Sequence, residues 1–356
     1  MESERNCIGM LSMFPHPVFL VKDEIILAAN ASAQALQIRQ DTPVFDLLCS
    51  GQDEYRNMEN GSLSLTVGVG PITMIAAVVR VGTYDFFHLL SGSEANDLKA
   101  LALASQHLRD PLSNIIALAD NLFDQKQYNE NPKDRVRIAQ LNQNLHRLMR
   151  SVGNMSDAYG YADKLSGMET VNIAAVITDA VEKTQQHFEN PTHLLTFTSD
   201  GRSAVGIADQ DQLERAVYNL LSNALRYNDP DSAVTATLKC DKDRIRFTVE
   251  NRCAGLSPEL LGTVFFHYRR TPTVTDGGKG LGLGIPIVQA VASAHKGSLL
   301  ATLPEPGKIR FCLTIPVIKD SSGKLHSPIL RPDYAGGYDR SLIELSDLLP
   351  NSAYKK

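Results

Sequence analysis

The chain has no apolar stretch long enough to cross a membrane. Its longest strongly apolar run, Ile72 to Val79, falls far short of the roughly 20 residues a spanning helix needs. Cysteine is scarce as well: Cys7, Cys49, Cys240, Cys253 and Cys312 are scattered, odd in number and never spaced as CxxC. That argues against a disulfide framework and for free thiols in a reducing compartment. Positive charge is not in excess, since 35 Lys and Arg face 40 Asp and Glu for a net charge of -5. Such a balance gives no electrostatic footprint for nucleic acid or an anionic membrane. The opening residues MESERN are charged and mixed in sign, unlike a secretory signal, so a cytoplasmic protein with no membrane span is expected. What is present is an ordinary globular balance, 43% hydrophobic and 21% charged over 356 residues, enough for two or three domains with their own cores.

Residues 13–90 read as a small α+β unit. FPHPVFLVKDEIILAANASAQAL offers a β-rich run, a polar turn at Lys22-Asp23-Glu24, a second apolar run and a short helix opening near Asn30. SLSLTVGVG, PITMIAAVVRV and TYDFFHLL supply three further β-rich runs after a turn-like GQDEYRNMENG. Strand, strand, small helices and three strands is the order of a PAS-type sensor domain, and PxPVFLV…N.A...L resembles its opening. A small-molecule ligand there is an implied partner.

From residue 94 the pattern changes. Leu101, Ser105, Leu108, Leu112, Ile115, Ala119 and Leu122 alternate spacings of four and three. After a break at Asn129 to Pro132, Leu141, Leu145, Leu148, Val152 and Met155 repeat it. Two heptad seams in consecutive helices predict an antiparallel hairpin that pairs with a second copy into a dimeric four-helix bundle. The alternative is a hairpin packed on its own neighbouring domain. Residues 169–317 then alternate helix-like and strand-like runs, which predicts helices on one face of a mixed sheet, a two-layer sandwich.

Two motifs in that last region carry chemistry. In LERAVYNLLSNALRY, Asn219 and Asn223 stand four apart and share a helix face. Two carboxamides so placed can hold Mg2+ through oxygen and still donate to phosphate; Arg226 and Tyr227 add a cation and a ring about one turn on. In DGGKGLGLGIPIVQAV, Gly277, Gly278, Gly280, Gly282 and Gly284 precede a helix, so backbone N–H groups and the helix dipole can meet phosphate.

With both motifs in hand, residues 94–317 resemble the histidine kinases of two-component signalling, whose nucleotide domain is shared with gyrase-type ATPases. LERAVYNLLSNALRY looks like their N box, VFFHYRR their F box, GGKGLGLGIPIV their second glycine box and AHKGS the turn after it. The resemblance implies ATP and Mg2+ as cofactors. Asn219 and Asn223 would serve Mg2+ and phosphate, Arg226 the phosphates and Tyr227 the nucleotide. Gly278, Gly280, Leu281, Gly282 and Leu283 would bind or close over the triphosphate. It also implies an α+β multidomain chain: a PAS-like sensor domain at 1–92, a dimerisation hairpin at 93–165, an ATP-binding domain at 166–318, and a tail with a short helix at 319–356.

The sequence departs from the family in two places. The first glycine box, Asp-x-Gly-x-Gly in the family, is NRCAGL here, with Asn251 for Asp, Cys253 for the first Gly, and Gly255 retained. Asn251 still offers an oxygen to the adenine amino group but no charge, so weakened ATP binding is expected. The H box, Ser-His-Glu-Leu-Arg-x-Pro-Leu in the family, is SQHLRDPL. Gln106 holds the phosphoacceptor position and His107 the next. At about 100° per residue, with Leu108 on the seam, Gln106 points outward at roughly 200° while His107 sits on a flank at roughly 100°. An amide nitrogen has its lone pair delocalised and cannot accept a phosphoryl group as imidazole does. In-line transfer needs an approach of about 3–3.5 Å, so autophosphorylation is expected to be impaired or displaced onto His107. Hydrolysis of ATP is also disfavoured, because the position that holds a water-activating Glu in gyrase-type enzymes is Arg215, with Glu214 one step off.

Three functions compete on the sequence. The chain is a sensor histidine kinase-type signalling protein that binds ATP and Mg2+ and acts through a response regulator; or a pseudokinase scaffold switched by ligand and nucleotide; or, last, a serine kinase or small ATPase on the same fold. In the tail, Asp339 is a fair N-cap and Leu342, Leu345 and Leu349 share a helical face. That segment reads as a strap on the nucleotide domain or as a docking or autoinhibitory peptide.

Overall fold

The computed structural model describes residues 8–59, 61–90, 108, 112, 115, 132–160, 167–188, 194–253, 255–257, 261, 264–265, 282–318 and 339–354. Gln106 and His107 lie outside these residues, as do Gly278, Gly280, Leu281 and most of the F-box stretch.

The amino-terminal unit is an antiparallel sheet of β1 (Val18–Lys22), β2 (Ile25–Ala29), β3 (Ser62–Val69), β4 (Ile72–Val81) and β5 (Tyr84–Leu89), in the order β2-β1-β5-β4-β3. The Lys22-Asp23-Glu24 turn is tight, with Asp23 and Glu24 both at positive φ. Helix α1 (Ala31–Ala35) starts where Asn30 caps it, its side-chain oxygen accepting from the Ala33 N–H. The cap is held in turn, because Asn30 Nδ2 donates to the carbonyls of Phe14 and His16. Between α1 and β3 lies α2 (Gln52–Asn57), whose Tyr55 is buried. Phe19 and Phe87 stack at 4.7 Å at the centre of this unit's core.

A long helix, α3 (Pro132–Gly160), follows. It buries Ile138, Ala139, Leu145 and Val152, whereas Leu141 and Leu148 are 39% and 50% exposed. Leu108 and Ile115 of the preceding stretch are exposed too. The expected seam on α3 is therefore split: one flank is covered by this chain and one is open.

The carboxy-terminal unit has β7 (Leu195–Ser199), β9 (Val234–Cys240), β10 (Arg244–Arg252), β11 (Ser298–Glu305) and β12 (Lys308–Pro316), ordered β11-β12-β10-β9-β7, with β7 parallel to β9. Alternation makes the strands: Ile245, Phe247 and Val249 of β10 point inward while Arg244, Arg246 and Thr248 are less buried. Helices α4 (Ile173–Gln186), α5 (Gln210–Tyr227) and α6 (Gly284–Ala294) cover one face, and β6 (Glu169–Asn172) pairs with β8 (Val205–Ala208) in a small second sheet. Helix α5 is capped by Asp209, which accepts from the Gln212 N–H, and buries Leu213, Ala216, Val217, Leu220, Leu221 and Ala224 at helical spacing. The AHKGS turn enters β11 through Lys296 at φ 56° and Gly297, where a Cβ would lie 2.1 Å from the Thr314 carbonyl.

The two sheets are one. Strand β3 pairs antiparallel with β11 (Leu299 with Ser64, Leu300 with Leu63, Ala301 with Ser62), giving ten strands in a continuous ladder. The last described segment, 339–354, opens with α7 (Arg340–Glu344) and lies against α3 and α5. Asp339 caps α7, and Leu345 and Leu349 are buried in the core of the carboxy-terminal unit, while Leu342 packs against it.

Candidate functional site

The N-box residues and the end of the second glycine box line one pocket. Helix α5 presents Asn219, Ser222, Asn223, Arg226 and Tyr227 to it, and Gly282, Leu283, Gly284 and Ile285 form the facing wall. Asn219 is 3% exposed. Its Nδ2 donates to the Arg215 carbonyl one turn back at 2.8 Å, which turns Oδ1 toward the glycine wall. A Cβ on Gly284 would sit 3.1 Å from that oxygen, so the wall approaches Asn219 because residue 284 has no side chain. Gly282, at φ +70°, turns the chain into α6, and Leu283 is buried beneath it.

The first glycine box is tied to the end of the same helix. Asn251 is buried near the end of β10. Beyond it, the Arg252 N–H donates to Asn228 Oδ1 at 3.1 Å, and the Arg252 carbonyl accepts from the Asp229 N–H at 2.8 Å. Gly255 is exposed at φ +80°.

Three residues of α3 also line the pocket, Arg150, Ser151 and Asn154, and sequence reasoning did not single them out. Arg150 is 8% exposed and donates to Ser222 Oγ and to Asp347 Oδ2, both at 2.8 Å. Burial pushes its guanidinium below the usual value, and the nearby carboxylates of Glu344 and Asp347 oppose that shift. Arg226 also pairs with Asp347, and Arg215 donates to Asn154 Oδ1 at 3.0 Å. The signal for these residues is spatial. Arginine on a long helix reads as a solvated face until a partner segment covers it.

Chemically, the pocket combines arginine forks, carboxamide oxygens and a glycine wall at a helix start, a donor set suited to an anion. Neutral amide oxygens are hard donors that suit Mg2+, and two of them leave most of its shell to phosphate and water. Among the described residues there is no group of three or more His, Cys, Asp or Glu side chains placed to hold a metal ion alone. Glu214, the residue next to the water-activating position, is engaged by Arg340 at 3.0 Å and by Gln210 at 2.9 Å.

Comparison with known proteins bears on the same region. Residues 208–319 match the family of histidine kinase-, DNA gyrase B- and HSP90-like ATPases. The sensor histidine kinase CusS of Escherichia coli (strain K12) is 28% identical over 218 residues, 60% of this chain and 44% of that protein. The probable sensor kinase SilS of Salmonella typhimurium is 32% identical over 129 residues, 36% of this chain and 25% of that one. The chain thus spans less than half the length of these relatives. Among solved structures, full-length ShkA in complex with AMPPNP aligns at a TM-score of 0.48 and 19% identity, covering 62% of this chain and 46% of that one. No helix among the described residues is long and apolar enough to cross a membrane. The matched stretch contains the paired asparagines, both glycine boxes and strands β9 to β12: residues 208–319 are similar to the histidine kinase-, DNA gyrase B- and HSP90-like ATPases, and over longer stretches the chain is similar to sensor histidine kinases.

Proposed function

We propose that the chain is a cytoplasmic sensor histidine kinase-type signalling protein that binds ATP with Mg2+ and acts through a response regulator, its phosphoacceptor chemistry impaired or displaced by Gln106. In this reading residues 1–92 are a PAS-like sensor, 93–165 a dimerisation hairpin, 166–318 the ATP-binding domain and 319–356 a tail. The observation that carries it is the pocket in which Asn219, Asn223, Arg226 and Tyr227 meet Gly282 to Ile285. Asn219 and Asn223 would hold Mg2+ beside the phosphates, Arg226 and the glycine wall with Gly278, Gly280 and Leu281 would take the phosphates, and Tyr227, Asn251 and Gly255 would border the base and sugar. Bound Mg2+ would supply charge neutralisation to the triphosphate. The exposed seam residues Leu108, Ile115, Leu141 and Leu148 support a second copy packed on the hairpin, in keeping with a four-helix bundle.

The second reading is a pseudokinase scaffold, favoured by Gln106 at the acceptor position. Nucleotide binding and phosphorylation measured together separate the two. The kinase reading expects slow acid-labile label in the native chain, abolished by His107→Ala, and faster label in Gln106→His. The scaffold reading expects bound nucleotide, no label in the native chain, and label restored by Gln106→His. A chain that binds no nucleotide refutes both.

A further inference from the structure

The segment 339–354 lies beyond the matched ATPase stretch, yet it reaches the same pocket. Leu345 and Leu349 anchor it in the ATPase core, and Tyr354 meets the ring of His146 on α3 edge-on at 5.0 Å. Gln143 of α3 donates to the carbonyls of Ser346 and Leu349 at 3.1 and 2.7 Å. Held this way, Asp347 becomes part of the pocket wall. Its carboxylate pairs with Arg226, accepts from Arg150 at 2.8 Å and stands 3.6 Å from Arg147.

An arginine fork grips a carboxylate and a phosphate by the same paired N–H geometry. Arg226, the cation that the nucleotide reading assigns to phosphate, is therefore already holding an anion supplied by its own chain. We infer that the carboxy-terminal segment is an intramolecular competitor of the nucleotide, with Asp347 standing in for a phosphate oxygen on Arg226 and Arg150. The inference rests on the nucleotide reading above and names the regulation of that site. Nucleotide enters as Asp347 leaves, and because Ser346 and Leu349 also hold Gln143, its departure loosens α3 from the ATPase unit. Coupling of this kind is reciprocal: a segment that closes the pocket nine-tenths of the time weakens apparent affinity about tenfold, and bound nucleotide loosens the segment equally.

The test compares the full chain with Asp347→Asn, which keeps the size and removes the charge, by calorimetric titration of Mg-AMPPNP. A parallel measurement follows hydrogen exchange of amides 339–354 in the unmodified chain at zero and saturating Mg-AMPPNP. Expected are an apparent Kd about tenfold tighter in the variant and faster exchange of the segment once nucleotide is bound. An affinity unchanged or weakened by the substitution overturns the inference; weakening only when Mg2+ is present makes Asp347 a metal ligand instead. A segment that stays equally protected at saturation overturns it too, and that measurement decides alone if the variant does not fold. If neither chain binds Mg-AMPPNP, the nucleotide reading itself falls.

Discussion

On one side, the ATPase sheet meets the amino-terminal sheet through paired backbone: β3 against β11, with Ser62 Oγ donating to the Leu261 carbonyl at 2.8 Å and Gln289 Nε2 donating to Ser64 Oγ at 2.9 Å. Charge stands at the rim of that joint, where Arg244 meets Asp53 at 2.6 Å. On the other side, the same unit meets α3 and the tail through arginines and carboxylates, with Glu344 3.7 Å from both Arg150 and Arg215 and Asp347 beside Arg226. Neutral, directional hydrogen bonds fix one geometry and respond weakly to salt or to ligands. Ion pairs can exchange one anion for another. The contrast separates a joint suited to holding shape from one suited to reporting what occupies the pocket.

The largest effect should come from emptying the charged joint. Glu344 is 3% exposed, and Glu344→Ala removes the carboxylate that stands between buried Arg150 and Arg215, so a loss of about 3–5 kcal/mol is expected, read by urea denaturation. A loss below about 1 kcal/mol would mean that water already screens the network and that the two joints differ less than their geometry says. Gly61→Ala strikes the neutral joint. Gly61 has φ +133°, and a Cβ would lie 2.4 Å from the Ala301 carbonyl. A cost of roughly 2–3 kcal/mol is expected, with hydrogen-exchange protection lost along β3 and β11 while the tail stays protected. Protection lost in the tail as well would show that the joints are coupled.

The smallest effect is acid sensitivity. Burial, helped by His16, pushes His88 on β5 down to about 4. Its folded form is therefore neutral where the unfolded chain, near the ordinary value of about 6.5, takes up a proton first. Stability is intact above that value and falls as pH drops from there toward 4. His187, beside the tail, is also lowered by burial, so the informative quantity is the difference between the native chain and His88→Gln. The variant should show a flatter pH–stability curve in that window, and identical curves would remove the amino-terminal share.

Much of the scaffold could be read from residue order. The helix opening near Asn30, the Asp339 cap, the strand-like run of β10 and the helical run of α5 are local patterns, and local patterns survive without knowledge of the partner surface. The meeting of Asn219 with Gly284 was legible as a pairing of motifs, though the close approach itself was not. What could not be read depends on surfaces far apart in the chain. Ser62 and Ser64 look like solvent-facing alternates until Leu261 and Gln289 of α6 meet them. Arg150 looks like a solvated helix residue until Asp347 arrives from nearly two hundred residues away. Leu145 and Leu148 belong to one expected stripe, yet Leu145 is buried and Leu148 exposed.

The ladder between β3 and β11 has one more consequence. Side chains alternate along a strand, so displacing β3 by a single residue against β11 would send Leu63 where Ser62 or Ser64 now sits and strand the Gln289 amide. A one-residue slip is thus disfavoured, and the side chains of Ser62 and Ser64, held by Leu261 and Gln289, fix the frame in which the amino-terminal sheet meets the ATPase sheet.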